Sequence, residues 1–257
     1  MNKIILGLYF AMLPCISMAE ISKGLEIMQE VKQRNSGWSD VTADLEMVLT
    51  NNNGNEHRRK LAMKILEIKN DGDKSLSVFN NPRDIKGTAF LSFTHALDAD
   101  EQWLYLPALK RVKRISSSNK SGPFLGSEIA FEDLSSFELE KYKYTYLRDE
   151  LLDGLDCFVI ENAPQYEFSG YTRTIVWVDK VRYIPIKIDY YDRKNTLLKT
   201  QTFNDYQQFL GQYWRAGIMT MKNHVTGKST QLLLHNYKFR NGLTARQFDK
   251  NSLKRSR

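Results

Sequence analysis

The stretch DVTADLEMVLT (residues 40–50) puts Val41, Ala43, Leu45, Met47 and Leu49 on one side of an extended chain. Thr42, Asp44, Glu46 and Thr50 fall on the other side. Period-two patterning of this kind fits a strand with one apolar and one wet face, and a helix cannot use it. The pattern recurs along most of the chain, in HRRKLAMKILEIK, KSLSVFNNP, DIKGTAFLSFTH, ELEKYKYTYLRDELL and LDCFVIENA. It continues in YTRTIVWVDK, YIPIKIDYYD, TLLKTQTFNDY, QYWRAGIMTMKN and STQLLLHNYKF. Short pieces such as NNNGN, NDGD, Asp153-Gly154 and TGK separate these segments, and Asn, Asp and Gly accept positive φ there at little cost. The spacing predicts eleven to thirteen antiparallel strands in a closed or half-closed barrel. Pro185 lies inside one strand pattern and marks an edge or a bulge, because proline cannot donate to the ladder.

Two segments break the meander. EISKGLEIMQEVKQRNSG reads as a helix capped by Ser22, with Ile21, Leu25, Met28 and Val31 on one stripe and Gly37 at its end. The second break is LPALKRVKRISSSNKSGPFLGSEIAFEDL (residues 106–134), a basic cluster followed by a Ser/Gly loop with a fifth base, Lys120. Its tail SEIAFEDLSSF predicts a short helix capped by Ser127. Two helices cover only part of the apolar face of so large a sheet. The remaining interior is either filled by side chains or left open as a ligand cavity.

The N-terminus reads as a cleaved secretion signal over residues 1–19. Lys3 supplies the positive charge, residues 4–13 are a short apolar run, and Ser17-Met18-Ala19 is a small-x-small cleavage site before Glu20. About ten apolar residues are too few to span a bilayer. Cys15 follows Pro14, which disfavours a lipoprotein signal at that cysteine. Removing residues 1–19 takes away one base and leaves a net charge of +6 over a single expected domain, residues 20–257. Only Cys157 then remains, so no internal disulfide can form. The surplus bases of an exported protein are better matched to anionic lipid head groups or an acidic protein face than to nucleic acid.

No catalytic set stands out. TGKST (residues 226–230) resembles the end of a phosphate-binding loop, but Lys222 occupies the position where that loop needs its first Gly. His57, His95, His224 and His235 are scattered without metal-ligand spacing. No Gly-x-Ser-x-Gly elbow is present, and Cys157 sits in an apolar strand as a small core residue. Acidic pairs such as Glu132-Asp133 and Asp98/Asp100 read as solvated surface, and the tyrosines of the strands read as cross-strand packing. The expectation is a non-enzymatic carrier of an apolar cargo, with no metal and no cofactor.

DEQWLYLPALKRVKRISSSNKSGPFLGSEIAFEDL (residues 100–134) resembles the signature of the outer membrane lipoprotein-sorting, LolA-like family of Gram-negative bacteria. TIVWVDKVRYIPIKIDYYD, LLKTQTFNDY and YWRAGIMTMKNHVTGKSTQL continue in family order, so the resemblance covers most of the chain. It implies a curved, incompletely closed antiparallel β-barrel of about 11 strands, with an N-terminal helix and a short lid helix over a cavity for acyl chains. It also implies work in the periplasm, carrying lipoproteins or lipids toward the outer membrane. The chain is similar to larger paralogues that partner RND/MMPL-type inner-membrane exporters. The similarly folded RseB-type sensors supply an alternative, a regulatory binding protein without a transport role.

The same stretch carries the candidate site residues. Residues 116–137 are the expected lid, with Phe124, Leu125, Ile129, Phe131 and Leu134 as its apolar underside. Trp103, Tyr105 and Leu106 are expected to line the entrance. Lys110, Arg111, Lys113 and Arg114 are expected to dock anionic head groups, a membrane surface or an acidic patch on an exporter.

Overall fold

The computed structural model describes residues 17–255; the basic and apolar regions of the expected signal, and Cys15, lie outside the described residues. The described residues begin with a helix, α1 (Met18–Arg34), and continue in strands β1 (Asp40–Thr50), β2 (Glu56–Leu66), β3 (Lys74–Asn81) and β4 (Ala89–Phe93). Next come β5 (Glu101–Leu106), β6 (Arg111–Ile115), β7 (Tyr142–Leu152), β8 (Leu155–Pro164) and β9 (Tyr171–Asp179). The last four are β10 (Pro185–Asp192), β11 (Leu197–Phe209), β12 (Tyr213–Asn223) and β13 (Ser229–Phe239).

These strands form one antiparallel sheet in the order β6-β5-β4-β3-β2-β1-β13-β12-β11-β10-β9-β8-β7. Every neighbour is a sequence neighbour except β1 and β13, whose pairing joins the two halves of the meander. The free edges are therefore β6 and β7, and the barrel is not closed between them. Residues 116–141 run from one free edge to the other. Register shifts mark bulges at Thr42/Asp44, Lys60/Leu61, Tyr146/Arg148 and Pro185/Lys187. A bulge bends its strand and adds twist, which curls a long sheet. The one at Pro185 bears out the proline reading. Asp153 and Gly154 both have positive φ, as a tight hairpin requires.

Helix α1 packs on the inner face of β7, β8 and β9, where Ile27 and Met28 meet Tyr144, Ile160, Val176 and Val178. Its start differs from the sequence expectation. Ser17, not Ser22, is the cap, and it forms a capping box with Glu20; Ser22 lies one turn inside and donates to Glu26. The buried stripe is also rotated. Ile21 and Leu25 are exposed, while Gly24 faces β7 so closely that a Cβ there would lie 2.7 Å from the Tyr146 nitrogen. The missing side chain lets the helix approach the strand and sets which face is buried.

The second expected helix does not form. Residues 116–141 contain only single 3₁₀ turns, Phe124–Gly126 and Glu132–Leu134 among them. Ser127 has extended backbone, its hydroxyl donates to the Phe124 carbonyl, and the Phe124 nitrogen donates to the Ile129 carbonyl. These local bonds fold the backbone back on itself and replace helical ones.

Past β13, Asp40 accepts the backbone nitrogens of Asn241, Gly242 and Leu243. This directs the C-terminal segment across the outer face of the sheet, where Phe248 and Leu253 pack on Leu76, Leu91 and Trp103.

Candidate functional site

The inner face of the curled sheet is apolar, because the alternating residues of β1, β2 and β13 all point there. Leu45, Met47, Leu61, Met63, Leu232 and Leu234 form one stretch of wall, with Met219 beside its cross-strand partner Leu232, and Val176, Val178 and Ile188 line it from β9 and β10. This wall bounds a cavity of about 1520 Å³. That exceeds the usual 300–1,000 Å³ of a small-molecule pocket. At about 30 Å³ per methylene-sized group it has room for about fifty such groups.

One end of the cavity is floored. Phe124 is 2% exposed, and its ring lies 6.0 Å from that of Phe79, 5.1 Å from Phe90 and 5.5 Å from Phe131. Polar bonds hold this floor in place from several strands. Lys199 of β11 reaches Asp133 at 2.6 Å and the Glu128 carbonyl at 3.0 Å, and both charged side chains are almost fully buried. Tyr171 donates to the other Asp133 oxygen, and the Ala130 nitrogen donates to the oxygen that Lys199 holds. Glu132 accepts from Ser169, Tyr166 and the Gly170 nitrogen, and burial beside Asp133 pushes its carboxyl up. The acidic pair that reads as solvated surface in the sequence is thus a buried tie.

The other end is the mouth. It is lined by the C-terminal turn of α1, residues 35–39, 67–73 and 135–140, and the turns after β9 and β11. Lys32 joins α1 to the crossing segment through Glu138 at 2.8 Å, and Ser136 accepts the Asp73 nitrogen. Burial pushes the Asp73 carboxyl up to about 7, with Lys32 opposing and Glu138 adding to the rise. Glu67 is occupied by the backbone nitrogens of Gly37 and Ser39.

The expected site residues separate into three groups. Phe124, Ile129 and Leu134 line the cavity. Phe131 packs in the floor beside them, and Leu125 is half-buried against it, with its carbonyl held by Arg59. Phe124, Ile129 and Phe131 are buried within the core and form a floor rather than an entrance lid, while Leu134 leads into residues 135–140 at the mouth. Trp103 and Tyr105 do not line the cavity. They project from the outer face of β5 and pack under Phe248 and Leu253, while Leu106 faces the inner side with Leu104. Lys110, Arg111, Lys113 and Arg114 are exposed along free edge β6, and Arg114 makes a loose 3.6 Å pair with Glu101. Lys120 does not belong with them: it is buried over the Tyr166 ring at 3.9 Å.

Sequence reasoning missed Asp73, Lys199, Asn162 and Arg215. Asn162 is 5% exposed on the cavity wall, and its carbonyl oxygen has no hydrogen-bond partner. Arg215 of β12 sits at the mouth. Nothing local singles these residues out, since polar residues are ordinary in strands.

A crystal structure of an outer membrane lipoprotein-sorting protein domain from Vibrio parahaemolyticus is 55% identical to this chain. It has a TM-score of 0.90, and the match covers 91% of this chain and 99% of that one. The chain belongs to the outer membrane lipoprotein-sorting family. A DUF1329 family protein from Desulfovibrio piger matches at 26% identity over 91% of this chain and 99% of that one, with a TM-score of 0.87. A LolA superfamily protein from Nitrosomonas europaea, at 20% identity and a TM-score of 0.71 over 89% of this chain and 98% of that one, shares the fold. A family model described as an uncharacterized protein matches residues 71–255. No curated protein matches the chain.

Proposed function

We propose that this protein is a periplasmic carrier that holds acyl chains of lipoproteins or lipids in its barrel and delivers them toward the outer membrane. The observation that carries this reading is the open-ended apolar cavity of about 1520 Å³. Its room for about fifty methylene-sized groups corresponds to roughly three sixteen-carbon chains. Each methylene moved from water into such a site gains about 0.8 kcal/mol, so a dozen contribute roughly 10 kcal/mol before the cost of immobilisation. Binding of this kind needs no covalent bond, and the cargo is released when a competing apolar site is presented. The family membership and the sorting role in the name of the Vibrio relative support the same reading. So does the state of the one cysteine among the described residues: Cys157 is buried, and burial pushes its thiol up to about 11, which suits a core residue.

The cargo enters at the mouth, because the opposite end is tied to β11 through Lys199. The exposed bases of β6 act separately, holding the carrier transiently against an anionic membrane surface or an acidic face of an inner-membrane exporter.

Delipidated full-length protein titrated with a fluorescent sixteen-carbon fatty acid should bind at least one equivalent. Replacing Met219 of the cavity wall by Trp should weaken that binding about tenfold, or 1.4 kcal/mol. A wild-type protein that takes up no amphiphile would sink the carrier reading.

A further inference from the structure

The mouth contains several charged side chains, and many have their own partners, while Lys69 and Glu140 line its rim. Arg34 is paired with Glu30 at 2.6 Å, Arg182 with Asp179 at 2.6 Å and Lys32 with Glu138 at 2.8 Å. Among the carboxylates, Glu67 accepts two backbone nitrogens, and Asp71 is held by His95 and the Ala96 nitrogen. Arg215 differs from the other two arginines. Its Nη1 donates to the Asn35 side chain at 2.7 Å and the Trp214 carbonyl at 2.9 Å. Among the described residues, no carboxylate lies within 4.0 Å of it, and its Nε and Nη2 have no protein acceptor. Neither atom is sealed from the cavity or solvent, since among the described residues the one sealed side-chain polar atom without a partner is that of Asn162.

Arg215 is also held in one orientation. Its guanidinium carbon lies 5.6 Å from the Trp38 ring centre and 5.3 Å from that of Phe239, so aromatic rings and the Nη1 bonds position the fork. Burial lowers its affinity for its proton, while Asp73 and Glu67 act on it only across space. A guanidinium drawn partly out of water without an anion is costly, and an oxyanion across its free Nε–Nη2 edge offsets that cost in bidentate geometry. Met219, four residues along the same strand, is already part of the apolar wall. An amphiphile gripped at Arg215 therefore has its tail beside that wall.

We propose that Arg215 is a head-group subsite and that the cargo is an amphiphile with an oxyanion head, a phosphate or a carboxylate, bound by the free edge of its guanidinium. This deepens the carrier reading and rests on it. Lysine does not replace this arginine, because an ammonium lacks the planar fork.

The test uses delipidated full-length protein and three sixteen-carbon probes: hexadecyl phosphate, palmitate and hexadecanol. One or both acidic probes should bind wild type at least tenfold more tightly than the alcohol, and the preferred acid identifies the head. Arg215→Gln should abolish that preference and leave hexadecanol affinity unchanged, while Arg215→Lys should restore it only in part. Equal wild-type affinity for all three probes would overturn the head-group subsite and leave the carrier reading intact. A variant that loses all three probes alike would also overturn it, because Arg215 would then be supporting the fold. Failure of wild type to bind any of the three probes would remove the carrier reading and this inference with it.

Discussion

The buried Lys199–Asp133 pair gives the sharpest test of how the cavity floor is held. Its side chains are 4% and 5% exposed, and the 2.6 Å bond ties β11 to the segment that crosses between the two sheet edges. Lys199→Met removes the cation and keeps the apolar length of the side chain. Asp133 then retains the Tyr171 hydroxyl and the Ala130 nitrogen but becomes an uncompensated buried charge. Breaking one side of such a pair costs about 3–5 kcal/mol. At roughly 2–4 °C per kcal/mol for a chain of this size, the melting temperature should fall by about 6–20 °C. Urea unfolding followed by tryptophan fluorescence at pH 7 measures this directly. Limited proteolysis should show new cuts within residues 116–141 before the sheet unfolds. The double variant Lys199→Met/Asp133→Leu, with no charge left behind, should recover most of the loss. A loss below about 1 kcal/mol for the single variant, or a double variant as unstable as both single changes together, would refute the reasoning.

Two further outcomes follow from the packing and charge of the mouth. Gly24→Ala should destabilise by about 1–3 kcal/mol, because the new methyl meets the β7 backbone at 2.7 Å and α1 must move away; circular dichroism melts read this, and an unchanged melt would contradict the close approach. Asp73 has its carboxyl raised from 3.8 to about 7, so the folded state holds this proton more tightly than the unfolded one. The penalty is absent below about pH 4 and grows as the pH rises through 7. Asp73→Asn should therefore stabilise the protein by about 1–3 kcal/mol at pH 8, less than the full shift implies because solvent reaches the rim, and give no gain at pH 4. A gain that is equal at both pH values would refute the assignment.

The strands were legible because a half-buried strand writes its period into the sequence. Alternation alone puts Val41, Leu45 and Met47 on the apolar face, and they line the cavity. Alternation was less informative where both faces of a strand are covered. Trp103 and Leu104 of β5 are both apolar and buried, and only the C-terminal segment over Trp103 reveals which one faces outward. The rotation of α1 was hidden for a similar reason. Ile21 and Leu25 make a plausible stripe, but the contact depends on how closely Gly24 lets β7 approach. Residues 127–137 carry helical composition, yet Ser127 spends its hydroxyl on a neighbouring carbonyl.

By itself the sequence determined a long antiparallel meander, its turns, its N-terminal helix and the apolar character of one face. These follow from local rules of period, capping and backbone freedom. Tertiary structure alone decided that β1 pairs with β13, that the sheet stays open between β6 and β7, and that Phe124, Ile129 and Phe131 of the crossing segment floor the cavity rather than lidding it. It also decided that Arg215 faces the mouth without a carboxylate while its neighbours are paired. Those outcomes depend on contacts between residues far apart in the chain, with no periodic trace in the sequence. A cavity is the space such contacts leave unfilled.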